Sequence, residues 1–253
     1  MGIVFRARRE ADGENVALKI LREELAADEL YRRRFEREAR IASELANEHV
    51  VPVIDFGEAS GHLYIAARYV RGASLAERIA SHGALSLADA LRLVSNLSDA
   101  LEALHARGLV HRDVKPANVM VDERGAAVLT DFGLARGVAD TVLTRTGAVV
   151  GTVDYLAPEL IRGQQASHSS DVYALGCLVY ECLAGAPPFA DKAYVETLLA
   201  HVRDEPRDLT EFRADLSAGV SWTVLKALAK DPAERPATAT AYARLLRASA
   251  QAG

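Results

Sequence analysis

The segment HRDVKPANVM, residues 111–120, concentrates side chains able to do phosphate chemistry. Pro116 lacks an amide proton and has a fixed φ, so it blocks helix propagation and forces a tight loop. That loop carries Asp113, Lys115 and Asn118 just ahead of a strand. Thirteen residues after Asn118, a second strand ends in Asp131, Phe132 and Gly133. Two carboxylates and an amide at the ends of paired strands can converge on one cation, and oxygen ligands with positions left open suit magnesium. A cation held in this way implies phosphate.

These side chains need elements to position them. Over residues 2–70 the short alternating segments GIVFRAR, ENVALKI, VPVIDFGEA and LYIAARYV, separated by the turns ADG and EASG, predict strands. In VALKI, Lys19 shares a face with Ala17 and opposes Val16, Leu18 and Ile20, so that face is expected to line a cleft. One helix interrupts the strands over residues 28–45, where Tyr31, Phe35, Glu38, Ala42 and Leu45 recur at steps of four and three. A carboxylate, Glu38, therefore sits in an apolar stripe and needs a cation. After Gly72 the helical period dominates: Leu87, Leu91, Val94, Leu97, Leu101 and Leu104 form one face, Ser86 with Asp89 resembles a capping box, and Gly108 is a stop. The strands NVMVD and AAVLT flank the turn DERG, and long helices return from about Ser170. The expected architecture is α+β and bilobal, with a small β-rich lobe over residues 1–70 and a large, mainly helical lobe over 71–253.

The motifs HRDxKxxN, then DFG, then APE at 157–159, preceded by VALK, resemble those of the eukaryotic-type Ser/Thr protein kinases. The order and spacing of four motifs make coincidence negligible. The resemblance runs from Gly2 to about Leu246, and the alanine-rich style is most similar to bacterial members. It implies one protein kinase domain over residues 1–253, ATP and Mg2+ as cofactors, and protein Ser/Thr as acceptor. It further implies that Asp113 accepts or orients the proton of the substrate hydroxyl, that Lys115 sits near the transferred phosphoryl group, and that Asn118 and Asp131 hold the metal ions. Gly2, Val4, Ala17 and Lys19 would contribute to the ATP site, with Glu38 paired to Lys19 and Thr152 locking Asp113 to Lys115. Asp171 would anchor the catalytic-loop backbone, and Glu159 with Arg235 would form a structural ion pair. The long loop carrying Thr141, Thr144 and Thr146 would be the activation segment. Within it Thr144 and Thr146 are the expected autophosphorylation sites, and Arg112 the phosphate clamp. The implied partners are protein substrates and a second copy during autophosphorylation.

Composition narrows the alternatives. Across 253 residues, 30 Lys and Arg against 35 Asp and Glu leave a net charge of -5 and no basic stripe, which argues against nucleic acid as a primary partner. Cys177 and Cys182 have no Cys or His neighbour at ligand spacing, which argues against a disulfide framework or a zinc site and for a reducing, cytoplasmic setting. The longest apolar run, residues 172–184, is interrupted by Glu181, so no membrane segment is expected.

The chain departs from the family pattern at two places. The phosphate loop GxGxxGxV begins at what would be its third glycine, Gly2, with Val4 as the closing valine, so the first strand and two glycines are missing. Two charge-assisted hydrogen bonds at about 1.5–3 kcal/mol each bound the loss at about 3–6 kcal/mol, or roughly two to four decades in affinity or rate. The edge at residues 3–8 would also be open to pairing. Either the start is an internal methionine, or the chain is an N-truncated pseudokinase or scaffold; the retained Lys19, Glu38, Asp113, Asn118 and Asp131 weigh against decayed chemistry. At the connector, Ala67 occupies the gatekeeper position, which predicts an open back pocket, and Arg68 and Arg71 stand where acidic residues are common.

Overall fold

The alternating N-terminal segments pair into a four-stranded antiparallel sheet of β1 (Ile3–Arg8), β2 (Asn15–Ile20), β3 (Val53–Ala59) and β4 (His62–Arg68), in the order β1-β2-β4-β3. In this computed structural model the described residues are 2–123, 125–131 and 153–252, so Phe132, Gly133, Thr141, Thr144, Thr146 and Thr152 lie outside them. The register sets Val4 opposite Lys19, Lys19 opposite Ile65, and Ala17 opposite Ala67. Directly opposed residues share a face, so Val4, Ala17, Lys19, Ile65 and Ala67 all project to one side of the sheet. At the sheet edge, β1 leaves Ile3, Val4 and Phe5 exposed.

A short helix, α1 (Glu23–Ala26), leads into α2 (Glu29–Ser43). The Asp28 carboxylate caps α2 by accepting the amides of Leu30 and Tyr31, and the helix buries Tyr31, Phe35, Ala39 and Ala42. It stops short of Leu45, which nevertheless packs against the core from the following turn.

The second lobe opens with β5 (Gly72–Ser74), α3 (Leu75–His82) and α4 (Leu87–His105). Next come β6 (Val119–Asp122) and β7 (Ala127–Leu129), which complete a three-stranded sheet in the order β5-β6-β7. The helices α5 (Pro158–Ile161), α6 (His168–Ala184), α7 (Tyr194–Arg203), α8 (Ala218–Ala227) and α9 (Ala239–Gln251) follow. Buried almost all round, α6 includes both Cys177 and Cys182. Its Gly176 permits close packing on α8, since a Cβ there would lie 2.9 Å from the Ala227 Cβ. The lobes are stitched where the Val51 amide donates to the Leu129 carbonyl (2.9 Å) and the Leu129 amide to the His49 carbonyl (2.8 Å).

One buried imidazole makes the helical lobe acid-sensitive. His201 of α7 is fully buried, with Nδ1 2.7 Å from the Tyr173 hydroxyl, and burial, aided by the charge of Lys230, pushes its pKa from 6.5 down to about 3. The native state therefore binds fewer protons than the unfolded chain below pH 6.5. The stability contribution is complete above that pH and falls as the pH drops towards about 3, by about 1.4 kcal/mol per pH unit. The midpoint of thermal unfolding is expected to fall more steeply between pH 7 and 5 in the parent than in His201→Gln. Equal slopes would contradict this assignment.

Candidate active site

Pro116 starts a single 3-10 turn, Pro116–Asn118, that returns the chain into β6. The turn points the Asn118 amide back at the loop, where Nδ2 donates to the Asp113 carbonyl (2.8 Å) and to Asp113 Oδ2 (2.8 Å). Lys115 Nζ lies 3.0 Å from the same Oδ2. Asp113, Lys115 and Asn118 thus form one cluster rather than three points on a solvated turn. The amide and hydroxyl of Thr130 both donate to the Asn118 carbonyl (2.9 and 3.1 Å), which ties the end of β7, and Asp131 after it, to this loop. From the opposite lobe, Lys19 Nζ reaches Asp131 Oδ1 at 2.9 Å.

The loop is held under strain. Arg112 and Asp131 adopt φ of 66° and 57°, a left-handed backbone that costs a non-glycine residue about 1–3 kcal/mol. Asp171 of α6 holds the first of these in place: its Oδ2 accepts the His111 amide (2.8 Å) and its Oδ1 the Arg112 amide (2.9 Å). The buried His111 ring is fixed from both sides. Its Nδ1 accepts the Asp113 amide (3.2 Å) and its Nε2 lies 3.1 Å from the Thr130 carbonyl, which assigns the proton to Nε2. Burial pushes its pKa down, in keeping with this neutral tautomer. Below the loop, Arg235 Nη1 and Nη2 each lie 2.7 Å from a carboxylate oxygen of Glu159.

Between the lobes lies a cavity of about 190 Å³. Val4 and Ala17 line it from the sheet and Met120 from β6; Val51, Ile65 and Ala67 line it as well, and Lys19 and Asp131 make it polar where they meet. The connector, residues 68–70, runs along its wall. Such an apolar slot ending in a cation and a carboxylate suits a flat ring joined to an anionic tail. The sequence reading places Val4, Ala17, Lys19 and Asp131 here but misses Val51, Val53, Met120 and Thr130. Their only sequence signal is alternation within short apolar runs.

Two expectations need correction. Gly2 is not among the lining residues; a Cβ there would come within 1.9 Å of the Ile20 carbonyl oxygen, so this glycine serves the close approach of β1 to β2. Glu38 does face inward from α2, but its partner is Arg112, with Nη1 and Nη2 3.3 and 3.2 Å from the two carboxylate oxygens. No Lys19–Glu38 ion pair forms among the described residues. The planar guanidinium offers the carboxylate two donors at once, while Lys19 finds its counter-charge in Asp131.

The sequence profile described as the protein kinase domain matches residues 1–245. The chain belongs to the protein kinase domain family. It is 43% identical over 244 residues to the serine/threonine-protein kinase PknB of Mycobacterium leprae, covering 94% of this chain and 39% of that protein's length. The chain thus spans well under half the length of the curated relatives it matches. The solved kinase domain of Mycobacterium tuberculosis PknI superposes with a TM-score of 0.78 at 33% identity, covering 99% of this chain and 92% of that one. Rad53 residues 1–466, solved in complex with AMP-PNP, superposes with a TM-score of 0.80 at 26% identity, covering 97% of this chain and 62% of that one. The kinase fold accounts for both lobes, and membership of the family implies ATP as a ligand. Among the described residues no helix is long and apolar enough to cross a membrane.

Proposed function

We propose that this kinase domain transfers the γ-phosphoryl group of ATP to Ser or Thr hydroxyls of proteins, itself included. The observation that carries this reading is the meeting of Lys19 and Asp131 at the polar end of the cavity, tied through Thr130 to the Asp113–Lys115–Asn118 cluster. Asp113 accepts the proton of the substrate hydroxyl at Oδ2, and Lys115, already 3.0 Å from that oxygen, places a positive charge beside the transferring group. Lys19 engages the ATP phosphates from the other lobe.

The site suits magnesium. Asn118 spends its amide hydrogens on Asp113 and keeps Oδ1 as a ligand, and Asp131 gives Oδ1 to Lys19 and keeps Oδ2. One carboxylate and one amide are what an ion needs when phosphate and water complete its shell. When bound, the metal neutralises charge on the phosphates.

Arg112 links this chemistry to regulation. A phosphate on Thr144 or Thr146 competes with Glu38 for the same guanidinium, and the released Glu38 becomes available to Lys19. Two copies meet transiently in such autophosphorylation. The buried thiols Cys177 and Cys182 fit a reducing cytoplasm. A purely scaffolding role is disfavoured, because decayed chemistry has no need of a strained loop and a convergent cluster.

The test is phosphosite mapping after incubation with Mg·ATP and a basic protein such as myelin basic protein. Phosphate is expected on Ser and Thr, Thr144 and Thr146 among them. Phosphate on Tyr alone, or none, would overturn the reading.

A further inference from the structure

Asp171 holds the strained catalytic-loop backbone through two amides, and it has a third partner outside that loop. His105, the last residue of α4, puts Nε2 2.8 Å from Asp171 Oδ2, the oxygen that also accepts the His111 amide. Both side chains are almost fully buried, at 5% and 2% exposure. Because two backbone amides already donate to this carboxylate, it acts as acceptor towards His105 as well. That fixes the imidazole proton on Nε2. His105 therefore stands one bond behind the residue that imposes the left-handed turn at Arg112, and hence the place of Asp113.

A second imidazole covers the first. His168, at the exposed start of α6, stacks on His105 with ring centroids 4.0 Å apart and an interplanar angle of 8°. The same helix turn carries Asp171 three residues on. The charged groups facing the stack are Asp171 from α6 and Glu102 from α4; the Glu102 carboxylate also accepts the Ala239 amide at the start of α9. The Arg112 and His111 amides approach from the loop.

We infer that the His105–His168 stack is an acid-sensitive latch on the catalytic loop, in which His105 is a positioning residue acting through Asp171 and His168 sets the pH at which it lets go. A proton on His168 places a cation flat against a ring whose own N–H is already pulled towards a carboxylate. The His105 ring, 4.0 Å away, already disfavours that charge. It also offers Asp171 a competing cation on its own helix. Either effect loosens the shared oxygen from His105 and the His111 amide and lets the backbone at Arg112 relax.

The titration of His168 runs in the required direction. Burial first, and then His105, pull its pKa below 6.5, against the opposing pull of Asp171 and Glu102. The native arrangement therefore resists the proton, and by linkage the proton weakens the arrangement. The effect is absent above pH 6.5 and sets in as the pH falls below it. This latch rests on the reading of residues 111–113 as the catalytic loop.

Hydrogen exchange of the peptide spanning residues 109–113, followed by mass spectrometry on the full chain, tests the latch without requiring turnover. Three proteins are compared at pH 5.5 and 7.5: the parent; His168→Phe, which keeps a stacked ring but cannot titrate; and His168→Arg, which stacks as a permanent planar cation. At pH 5.5 the parent is expected to exchange about tenfold faster than His168→Phe, with no difference at pH 7.5. His168→Arg should be fast at both. The kcat/KM profile should follow, with the parent losing activity on the acid side where His168→Phe keeps it. Equal exchange in parent and His168→Phe at pH 5.5, or slow exchange in His168→Arg, would overturn the latch. Absence of phosphoryl transfer at every pH would instead count against the kinase reading and leave the latch to be judged by exchange alone.

Discussion

Asp113→Asn is expected to lower phosphoryl transfer by about 10²- to 10⁴-fold while leaving nucleotide affinity within about a factor of two. The substitution is nearly isosteric, and Asn can still accept from the Asn118 amide and from Lys115, whose contacts to Asp113 Oδ2 are 2.8 and 3.0 Å. What it loses is basicity: an amide oxygen does not take up the proton of the attacking hydroxyl. The backbone of the loop should stay in place, because Asp171 accepts the successive amides of His111 and Arg112 and neither bond involves the Asp113 side chain. A single-turnover assay separates the chemical step from binding, so the loss should appear in the transfer rate and not in the nucleotide constant. A fall of less than about tenfold would remove Asp113 from the role of base.

The largest stability effect is expected at Arg235. Its guanidinium is completely buried and makes two 2.7 Å bonds to Glu159, itself 3% exposed, with further bonds to the carbonyls of Ala229 (2.8 Å) and Ser169 (3.0 Å). Arg235→Met leaves a buried carboxylate unpaired and strips two carbonyls of a donor. Breaking a buried pair from one side costs about 3–5 kcal/mol, and a domain of this size loses about 2–4 °C in melting temperature per kcal/mol, so a fall of roughly 6–20 °C is expected. Arg207 and Glu211 provide the control. That pair has a similar spacing of 2.8 Å but is 62% and 50% exposed, and Arg207→Met should cost no more than about 1 kcal/mol. Calorimetry of the two variants decides the point: similar melting temperatures would mean that burial does not set the energetic difference between the two pairs. Because Glu159 sits in the first turn of α5, the deeper loss should also loosen that helix.

Local rules make much of this site legible. Period-two alternation puts Ala17 and Lys19 on one face of β2, and the register across β1 and β4 then assembles the cavity wall that both line. The stop imposed by Pro116 and the convergence of Asn118 on Asp113 follow from the chemistry of a ring without an amide proton. Helical periodicity turns Glu38 inward, but periodicity cannot say which cation will be there. Arg112 lies 74 residues away and reaches Glu38 only because the lobes close on each other. For the same reason the His105–His168 stack leaves no trace in the sequence: its members are 63 residues apart, with β6, β7 and α5 between them, and only packing of α4 on α6 brings the rings to 4.0 Å. Short pieces such as β5 and α1 likewise escape, since three or four residues carry too little periodicity to register.

Everything proposed for this site depends on Lys19 and Asp131, which meet at the polar end of the cavity, binding one nucleotide together with its metal. Calorimetric titration with AMP-PNP, with and without magnesium, tests it most directly in the parent, Lys19→Met and Asp131→Asn. One saturable site is expected in the parent, weakened about 10- to 100-fold by Lys19→Met, with the contribution of magnesium lost in Asp131→Asn. Binding that is unchanged in both variants, or no binding by the parent, would contradict it.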